Sequence, residues 1–367
     1  MLRNLVKTGA ASALHWTGVT RWIRKDAPLV LSYHRVVDDF SLHSQDSIPA
    51  MLISVAMLER QLDWIGSRYR FVSLDELATS LQGKKSFPKP LAAVTFDDGY
   101  QDVYDHAWPL LKRKGIPAAL FVVTDVIGTS KLQYHDKLYL LLVMAFASKV
   151  PSPRELLASL LALDIPPLDP QNFGNGVVDY SKAVNSLLGV LPQCEIERLI
   201  GLLEKQTGLV PGPREAQHAL TWEMVKKMHQ SGVVVGSHTR THAVLPNESQ
   251  EKIRDEIEGS RRELEQRLGA RILHFAYPDG RFNDSTVKAL ASSGYRFAYT
   301  TGPIRRSDCP LLTIPRRVLW EKSCVDPVGR FSPALLDCLV SGLFDFGLNC
   351  NGGYIAHSLR GSYEVNV

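Results

Sequence analysis

The sequence has few cysteines, no long apolar run and no basic cluster, and each absence excludes a class of protein. An odd number of widely spaced cysteines predicts free thiols rather than a disulfide framework or a zinc ribbon. No run of about 20 apolar residues is present, so no membrane-spanning helix is predicted. The net charge of +4 is mild and scattered, which argues against nucleic acid as a partner. The five cysteines are Cys194, Cys309, Cys324, Cys338 and Cys350.

The N-terminal 27 residues are predicted to form a helical segment. The segment begins with basic residues, but its apolar part is broken by His15, Trp16 and Thr17, so it makes no convincing signal peptide. Residues 2–24 fit an amphipathic helix with arginine and lysine along its polar side. Two interpretations stay open, namely peripheral contact with an anionic membrane and packing against the rest of the fold.

Short apolar runs alternate with helical patterns along most of the chain. With 367 residues, 45% hydrophobic and 22% charged, the composition fits one large globular domain or a domain with an insertion. Alternating strands and helices are typical of an α/β fold with a parallel sheet. Seven strands are predicted, at Leu29–Tyr33, Ala92–Phe96, Ala118–Val122, Val233–Ser237, Ile272–Tyr277, Arg296–Thr300 and Leu312–Val318.

Chemistry-bearing residues follow two of these apolar runs. Thr95-Phe96-Asp97-Asp98-Gly99-Tyr100 ends one run with adjacent carboxylates, and His238-Thr239-Arg240-Thr241-His242 ends another with two histidines. One aspartate and two histidines make a three-ligand metal site with a position left for water, the arrangement of hydrolytic metal centres. The second aspartate beside such a site is a natural general base. The two motifs therefore predict a metal-dependent hydrolase.

The two motifs, in this order, resemble the polysaccharide deacetylase family, the NodB-like carbohydrate esterases of family 4. The resemblance covers roughly residues 28–126 and 221–320 and lies nearest the poly-N-acetylglucosamine deacetylase branch. It implies a distorted (β/α)7 barrel of the α/β class. It also implies an enzyme that hydrolyses carbon–nitrogen bonds other than peptide bonds, removing N-acetyl (or O-acetyl) groups from a polysaccharide or lipid-linked sugar.

The same resemblance implies roles for the four motif residues. Asp97 corresponds to the general base, and Asp98, His238 and His242 correspond to ligands of a divalent metal. Imidazole suits zinc, and cobalt, nickel or iron are alternatives. The partner is then an acetylated carbohydrate, and the location is cytoplasmic or peripheral at the inner membrane.

The sequence departs from the family pattern where a general acid is expected. Many relatives take the acid from a late Leu-x-His motif, but residues 314–320 contain no histidine. His34, in a Tyr-His element after the first strand, resembles the acid histidine of the poly-N-acetylglucosamine deacetylase branch. We therefore predict His34 as the general acid, with His274 and His106 as alternatives and a core histidine as the structural interpretation.

The family's third motif is matched only in part by residues 275–282. The arginine of relatives, which holds the catalytic aspartate, aligns with Ala276, so Arg316 or Arg317 is predicted to replace it. Their tyrosine, whose backbone N–H stabilises the oxyanion, aligns with Asp279. A backbone donor survives a change of side chain. Tyr277 and Pro278 complete the predicted substrate and oxyanion region, with packing as the alternative for Tyr277.

The predicted domain organisation has three parts and one insertion. Residues 1–27 form the N-terminal segment, 28–330 the barrel and 331–367 a C-terminal extension with a short apolar helix near 334–343 and a glycine-rich end. Leucine-rich patterns at about 130–218 predict a mainly helical insertion that either covers the cleft or serves stability or oligomerisation. Its four predicted helices are Leu138–Ala147, Glu155–Leu163, Tyr180–Val190 and Glu195–Leu203. Two other functions stay open: a catalytically idle sugar-binding module and an amidohydrolase acting on a small non-sugar amide.

Overall fold

The computed structural model describes most of the barrel and part of the insertion. The described residues are Gly9, Ala11, 13–15, Thr17, 28–83, 89–148, 180–212, 217–303 and 305–346. Within them the chain forms eleven strands. These are β1 Leu29–Tyr33, β2 Arg35–Val37, β3 Leu52–Ser54, β4 Arg70–Phe71, β5 Leu91–Phe96, β6 Ala118–Val122, β7 Val234–Ser237, β8 His274–Ala276, β9 Phe297–Thr300, β10 Ile314–Pro315 and β11 Arg317–Val318.

The main sheet is parallel and nearly closes on itself. Its strands follow the order β10-β9-β8-β7-β6-β5-β1-β11, and β4 adds a short pair to β5. The strands β1, β5 and β6 are buried along their whole length, which explains why they read as continuous apolar runs. The fold is therefore the nearly closed α/β barrel that the sequence predicts.

The last predicted strand, Leu312–Val318, differs from expectation because it is split between two neighbours. Ile314–Pro315 pairs with β9, whereas Arg317–Val318 pairs with β1. The Arg316 N–H donates to the Thr300 carbonyl, and three residues later the chain bonds to β1. This change of partner brings the two edges of the sheet together within five residues. The barrel closes at Arg316.

Helices cover the outside of the barrel. Side-chain caps fix several helix starts: Ser73 Oγ accepts from the Glu76 N–H, and Thr221 Oγ1 accepts from the Met224 N–H. The α-helices of the described residues are α1 Phe40–His43, α2 Val55–Gly66, α3 Leu74–Gly83, α4 Trp108–Lys114, α5 Tyr134–Ser148, α6 Tyr180–Val190, α7 Gln193–Thr207, α8 Trp222–Gln230, α9 Gln250–Arg254, α10 Ser260–Leu268, α11 Asp284–Ser292 and α12 Pro333–Val340.

The insertion has a small apolar core of its own. Buried leucines, isoleucines and valines of α5, α6 and α7 pack together, and three residues of the barrel side, Ile48, Met51 and Tyr100, join the same cluster. Three of the four predicted insertion helices correspond to α5, α6 and α7. The fourth, predicted at 155–163, lies outside the described residues. The insertion is thus packed onto the barrel at the end where the motif residues lie.

Described residues near the N-terminus contact helix α12 near the C-terminus. Ala11 is buried in the main core, and His15 Nδ1 lies 2.6 Å from Asp337 Oδ2 of α12. The described N-terminal residues therefore pack on the fold, as one of the two interpretations expected. The C-terminal helix predicted near 334–343 is α12, and the glycine-rich end lies outside the described residues. Within the described part of the chain, no helix combines the length and apolarity needed to cross a bilayer.

Candidate metal centre

Both sequence motifs lie at the carboxyl ends of their strands and meet there. Asp97 and Asp98 directly follow β5, and His238 directly follows β7. Parallel strands end at the same edge of a barrel, where active sites are built. Asp98, His238 and His242 place one ligand atom each within 4.8 Å of one another. The predicted triad is therefore brought together.

Asp98 has a buried carboxylate to which no described residue donates a hydrogen bond. Its side chain is 1% exposed, and neither carboxylate oxygen has a hydrogen-bond partner among the described residues. Oδ1 lies 3.5 Å from His238 Nε2 and 3.4 Å from His242 Nε2. Burial, Asp97 and Asp136 raise the pKa of Asp98 well above its usual range. A bound cation would remove this penalty, because it favours the ionised form.

The two histidines present their Nε2 atoms to Asp98 as neutral rings. The Nδ1–H of His238 donates to the Ala276 carbonyl over 2.8 Å, which leaves Nε2 free to bind a metal. Burial lowers the pKa of His238 to about 4, and it lowers the pKa of His242 well below its usual value. His242 has a positive φ of 64°, and its N–H donates to Thr239 Oγ1. The turn between the histidines is therefore fixed by its own side chains.

Asp97 is held by a two-pronged ion pair with Arg316. The guanidinium donates to both carboxylate oxygens at 2.7 Å, and Ser32 Oγ donates to Oδ2 at 3.1 Å. Burial alone would raise the pKa of Asp97, but Arg316 and His238 outweigh it and bring the pKa down to about 2. Arg316 is the residue at which the barrel closes. Arg317, the other candidate, pairs instead with Asp345 near the surface.

The charged side chains in and behind the cleft do not balance. Four carboxylates and two guanidinium groups here are each at most 6% exposed, and the neighbouring histidines are neutral. With every group ionised, the six sum to two negative charges, and buried charge of that kind is costly unless it is paired or binds a metal. The raised pKa of Asp98 reflects this cost. A divalent cation at Asp98 supplies the missing charge. The six groups are Asp97, Asp98, Asp102, Asp136, Arg35 and Arg316.

Among the remaining predicted residues, His34, Tyr277 and Asp279 line the cleft, whereas Pro278 is not among its lining residues. His34 follows β1 and faces the site, where burial lowers its pKa to about 4 against the opposing effect of Asp97. Asp279 has a positive φ of 55° in the turn Pro278–Gly280, beside the cleft. Tyr277 is fully buried, and its hydroxyl donates to the Leu312 carbonyl.

The two alternative histidines are not among the residues that line this cleft. His274 is bonded to Asp75 and Tyr299.

Sequence reasoning left open that the insertion covers the cleft, but it missed the residues that the insertion places beside Asp98. Gln133 Nε2 donates to the Asp98 carbonyl over 3.0 Å, at a residue whose φ of 71° is positive. Two residues on, His135 is 3% exposed, its Nε2 lies 4.0 Å from Asp98 Oδ2, and its ring meets that of His242 edge-on. The only signal in the sequence was a polar Gln-Tyr-His-Asp segment at the start of an apolar helix.

A buried polar network holds His135 in place. Tyr100 Oη donates to Asp136 Oδ2 over 2.7 Å, so the Nε2–H of His135 must donate to Tyr100 Oη over 2.8 Å. Behind Tyr100, the Arg35 guanidinium lies 5.1 Å from the ring centre and donates to Asp102 Oδ2. The insertion helix α5 and the barrel are therefore joined by hydrogen bonds and charge next to Asp98.

Comparison with known proteins agrees with this geometry. The family model for polysaccharide deacetylase matches residues 84–144 and 185–298, which include both motifs and omit the middle of the insertion. The chain belongs to the polysaccharide deacetylase family. Among solved structures, the Streptococcus pyogenes deacetylase PplD in complex with acetate has the same fold, with a TM-score of 0.53 and 19% identity. The match covers 85% of this chain and 97% of that chain.

Curated relatives match over different lengths. The Bacillus subtilis protein YxkH, a presumed polysaccharide deacetylase, is 21% identical over 286 residues, which is 77% of this chain and 68% of that protein. The poly-β-1,6-N-acetyl-D-glucosamine N-deacetylase of Staphylococcus epidermidis is 32% identical over 114 residues. That match spans 29% of this chain and 39% of the staphylococcal enzyme, so it concerns only part of each protein.

Replacing Arg316 is expected to destabilise the fold far more than replacing its neighbour. Arg316→Gln leaves Asp97 as a buried, unpaired carboxylate and should lower the free energy of unfolding by about 3–5 kcal/mol. Arg317→Gln breaks a partly exposed ion pair and should cost about 0–1 kcal/mol. Urea denaturation followed by circular dichroism measures both. Equal losses would contradict the assigned role of Arg316.

Proposed function

We propose that the protein is a metal-dependent hydrolase that removes N-acetyl or O-acetyl groups from a polysaccharide or lipid-linked sugar. One observation carries the proposal: the unpartnered Asp98 carboxylate faces two neutral histidines, beside a second carboxylate that Arg316 keeps ionised. A site that only binds a metal needs no such second carboxylate. The family membership and the expected substrate, an acetylated carbohydrate, support the same reaction.

Asp98, His238 and His242 would hold the metal, with the fourth position open to water and substrate. Zinc is the first choice because neutral imidazole and carboxylate ligands suit it, with cobalt, nickel or iron as alternatives. When bound, a divalent metal polarises the acetyl carbonyl and lowers the pKa of water towards about 7. The buried Asp98 carboxylate and the fixed His238 tautomer are the features of this chain that fit such a group.

Asp97 would act as the general base. Its carboxylate is ionised at neutral pH because the Arg316 ion pair outweighs burial. It can therefore take the proton of the attacking water as the new carbon–oxygen bond forms. Arg316 and Ser32 fix the direction of the carboxylate, so little reorganisation is needed when that proton arrives.

The turn at Asp279 would stabilise the oxyanion that forms on the acetyl group. In sequence, Asp279 aligns with the residue that supplies the family's donor, and its positive φ gives the peptide an uncommon orientation beside the cleft. The Asp279 carboxylate itself pairs with Arg281 Nε over 2.8 Å. The side chain therefore stabilises the loop, and the backbone N–H is the proposed donor to the oxyanion.

His34 would protonate the leaving nitrogen or oxygen of the sugar. Burial keeps the resting ring neutral, so His34 must first receive the proton that Asp97 removes from water. The proton then passes to the leaving group as the bond between the acetyl carbon and that group breaks. The reaction balances, because one acetylated sugar and one water give one free amine or hydroxyl and one acetic acid, which then releases its proton to become acetate.

The idle sugar-binding module is the less favoured alternative. It drew support from the missing motif arginine, at Ala276, and from the missing late histidine. Arg316, between β10 and β11, contacts Asp97, and His34, directly after β1, lines the cleft. Both departures from the family pattern are therefore met by residues elsewhere in the chain.

Asp97→Asn should abolish turnover while the metal stays bound. The amide keeps the shape of the carboxylate but cannot take a proton at neutral pH, and loss of a general base typically costs about 10²–10⁴ in rate. Acetate release and elemental analysis of the purified variant measure the two properties separately. Full activity in this variant would contradict the assignment of Asp97 as the general base.

His34→Ala should slow acetamide substrates much more than activated aryl esters. An amine leaving group needs a proton, worth about 10²–10⁴ in rate, whereas a nitrophenolate leaves almost unaided. Rates on N-acetylglucosamine oligomers and on 4-nitrophenyl acetate make the comparison, with His229→Ala on α8 as the control. Equal losses on both substrates would show that His34 acts structurally.

A further inference from the structure

We propose that the helical insertion turns the cleft into a pocket for one acetylated sugar unit, either a single sugar or the end unit of a chain. Internal units of a polysaccharide would be excluded. The inference rests on the proposed hydrolase function and narrows its substrate class. It follows from the residues that surround the cleft.

The lining of the cleft comes from almost the whole circumference of the barrel. Residues that follow β1, β5, β7, β8, β9 and the β10–β11 segment all contribute to it. The remaining sector belongs to β6. In that sector His135, on the first helix after β6, lines the cleft. The described lining residues are His34, Met51, Asp97, Asp98, His135, Asn185, Leu188, His238, His242, Val244, Tyr277, Asp279, Gly280, Thr301, Arg316 and Val318.

Helix α6 of the insertion forms a roof over these walls. Its residues Asn185 and Leu188 line the same cleft as the metal ligands, although they lie far from them in the chain. They place one polar and one apolar side chain at the cleft, opposite the residues that follow the barrel strands. An internal unit of a polymer would need an exit for the chain on each side of its acetyl group.

The roof is tied to the barrel on two sides. Arg281, in the loop after β8, donates from Nη1 to the Gly189 carbonyl over 2.6 Å. Asn247, in the loop after β7, donates from Nδ2 to the Leu188 and Leu191 carbonyls, both over 3.1 Å. These bonds hold the C-terminal end of α6 between two active-site loops.

The opposite face of α6 is anchored in the core of the insertion. Ala183, Val184 and Leu187 are 0% exposed and pack in the apolar cluster shared with α5 and α7. Met51 and Tyr100 extend that cluster to the barrel side. Swinging the roof aside would expose this apolar surface to water, so the closed arrangement is the stable one.

The first part of the test compares positions within one chain. Metal-loaded protein is given β-1,6- and β-1,4-linked N-acetylglucosamine oligomers of one to six units, and mass spectrometry locates each lost acetyl group. 4-Nitrophenyl acetate serves as the size-independent substrate. End units, or the monosaccharide, should react at least about tenfold faster than internal units.

The second part of the test removes the side chains with which the roof lines the cleft. Asn185→Ala/Leu188→Ala removes the roof side chains and should raise the rate at internal units at least about tenfold relative to end units. Val190→Ala, on the same helix at a position that is 52% exposed, should leave the pattern unchanged.

Each outcome decides the proposal. Wild-type protein that deacetylates internal and end units equally would overturn the pocket, as would a roof variant with an unchanged pattern. Cleavage of 4-nitrophenyl acetate without acetate release from either oligomer series would overturn the sugar substrate while keeping the hydrolase. Failure on both kinds of substrate would overturn the proposed function itself.

Discussion

The constraint on which the site depends is an imbalance of buried charge. Four carboxylates lie in or directly behind the cleft against two guanidinium groups, and burial keeps the nearby histidines neutral. Arg316 neutralises Asp97, and Arg35 pairs with Asp102. The Asp98 carboxylate has no hydrogen-bond partner among the described residues, and its pKa is raised well above its usual range. A divalent cation at Asp98 resolves the imbalance at the point where the ligand atoms converge.

The fold and the chemistry are linked at the closure of the barrel. The last strand changes partner at one residue, and that residue is the arginine that holds Asp97. The insertion adds a second link, because Gln133 binds the Asp98 carbonyl and α6 lies over the cleft between Arg281 and Asn247. A barrel of the polysaccharide deacetylase family therefore carries a site whose lining comes partly from the inserted helices.

The sequence predicted the parts of the site that depend on local pattern. Apolar runs located the main strands, and motifs at strand ends located Asp98, His238 and His242, because parallel strands end together. The role of Arg316 could be narrowed only to two adjacent arginines, since alternation along a strand does not reveal where the strand breaks. His135 and Gln133 were missed because tertiary packing of the insertion, and no spacing rule, brings them to Asp98.

The most direct test is the metal content of purified wild-type protein beside His238→Ala. We expect about one transition metal ion per chain in the wild type and its loss in the variant, because His238 supplies one of the three proposed ligands. Elemental analysis needs no knowledge of the substrate. Wild-type protein that binds no metal, even after incubation with zinc, cobalt, nickel or iron, would contradict the proposed metal centre.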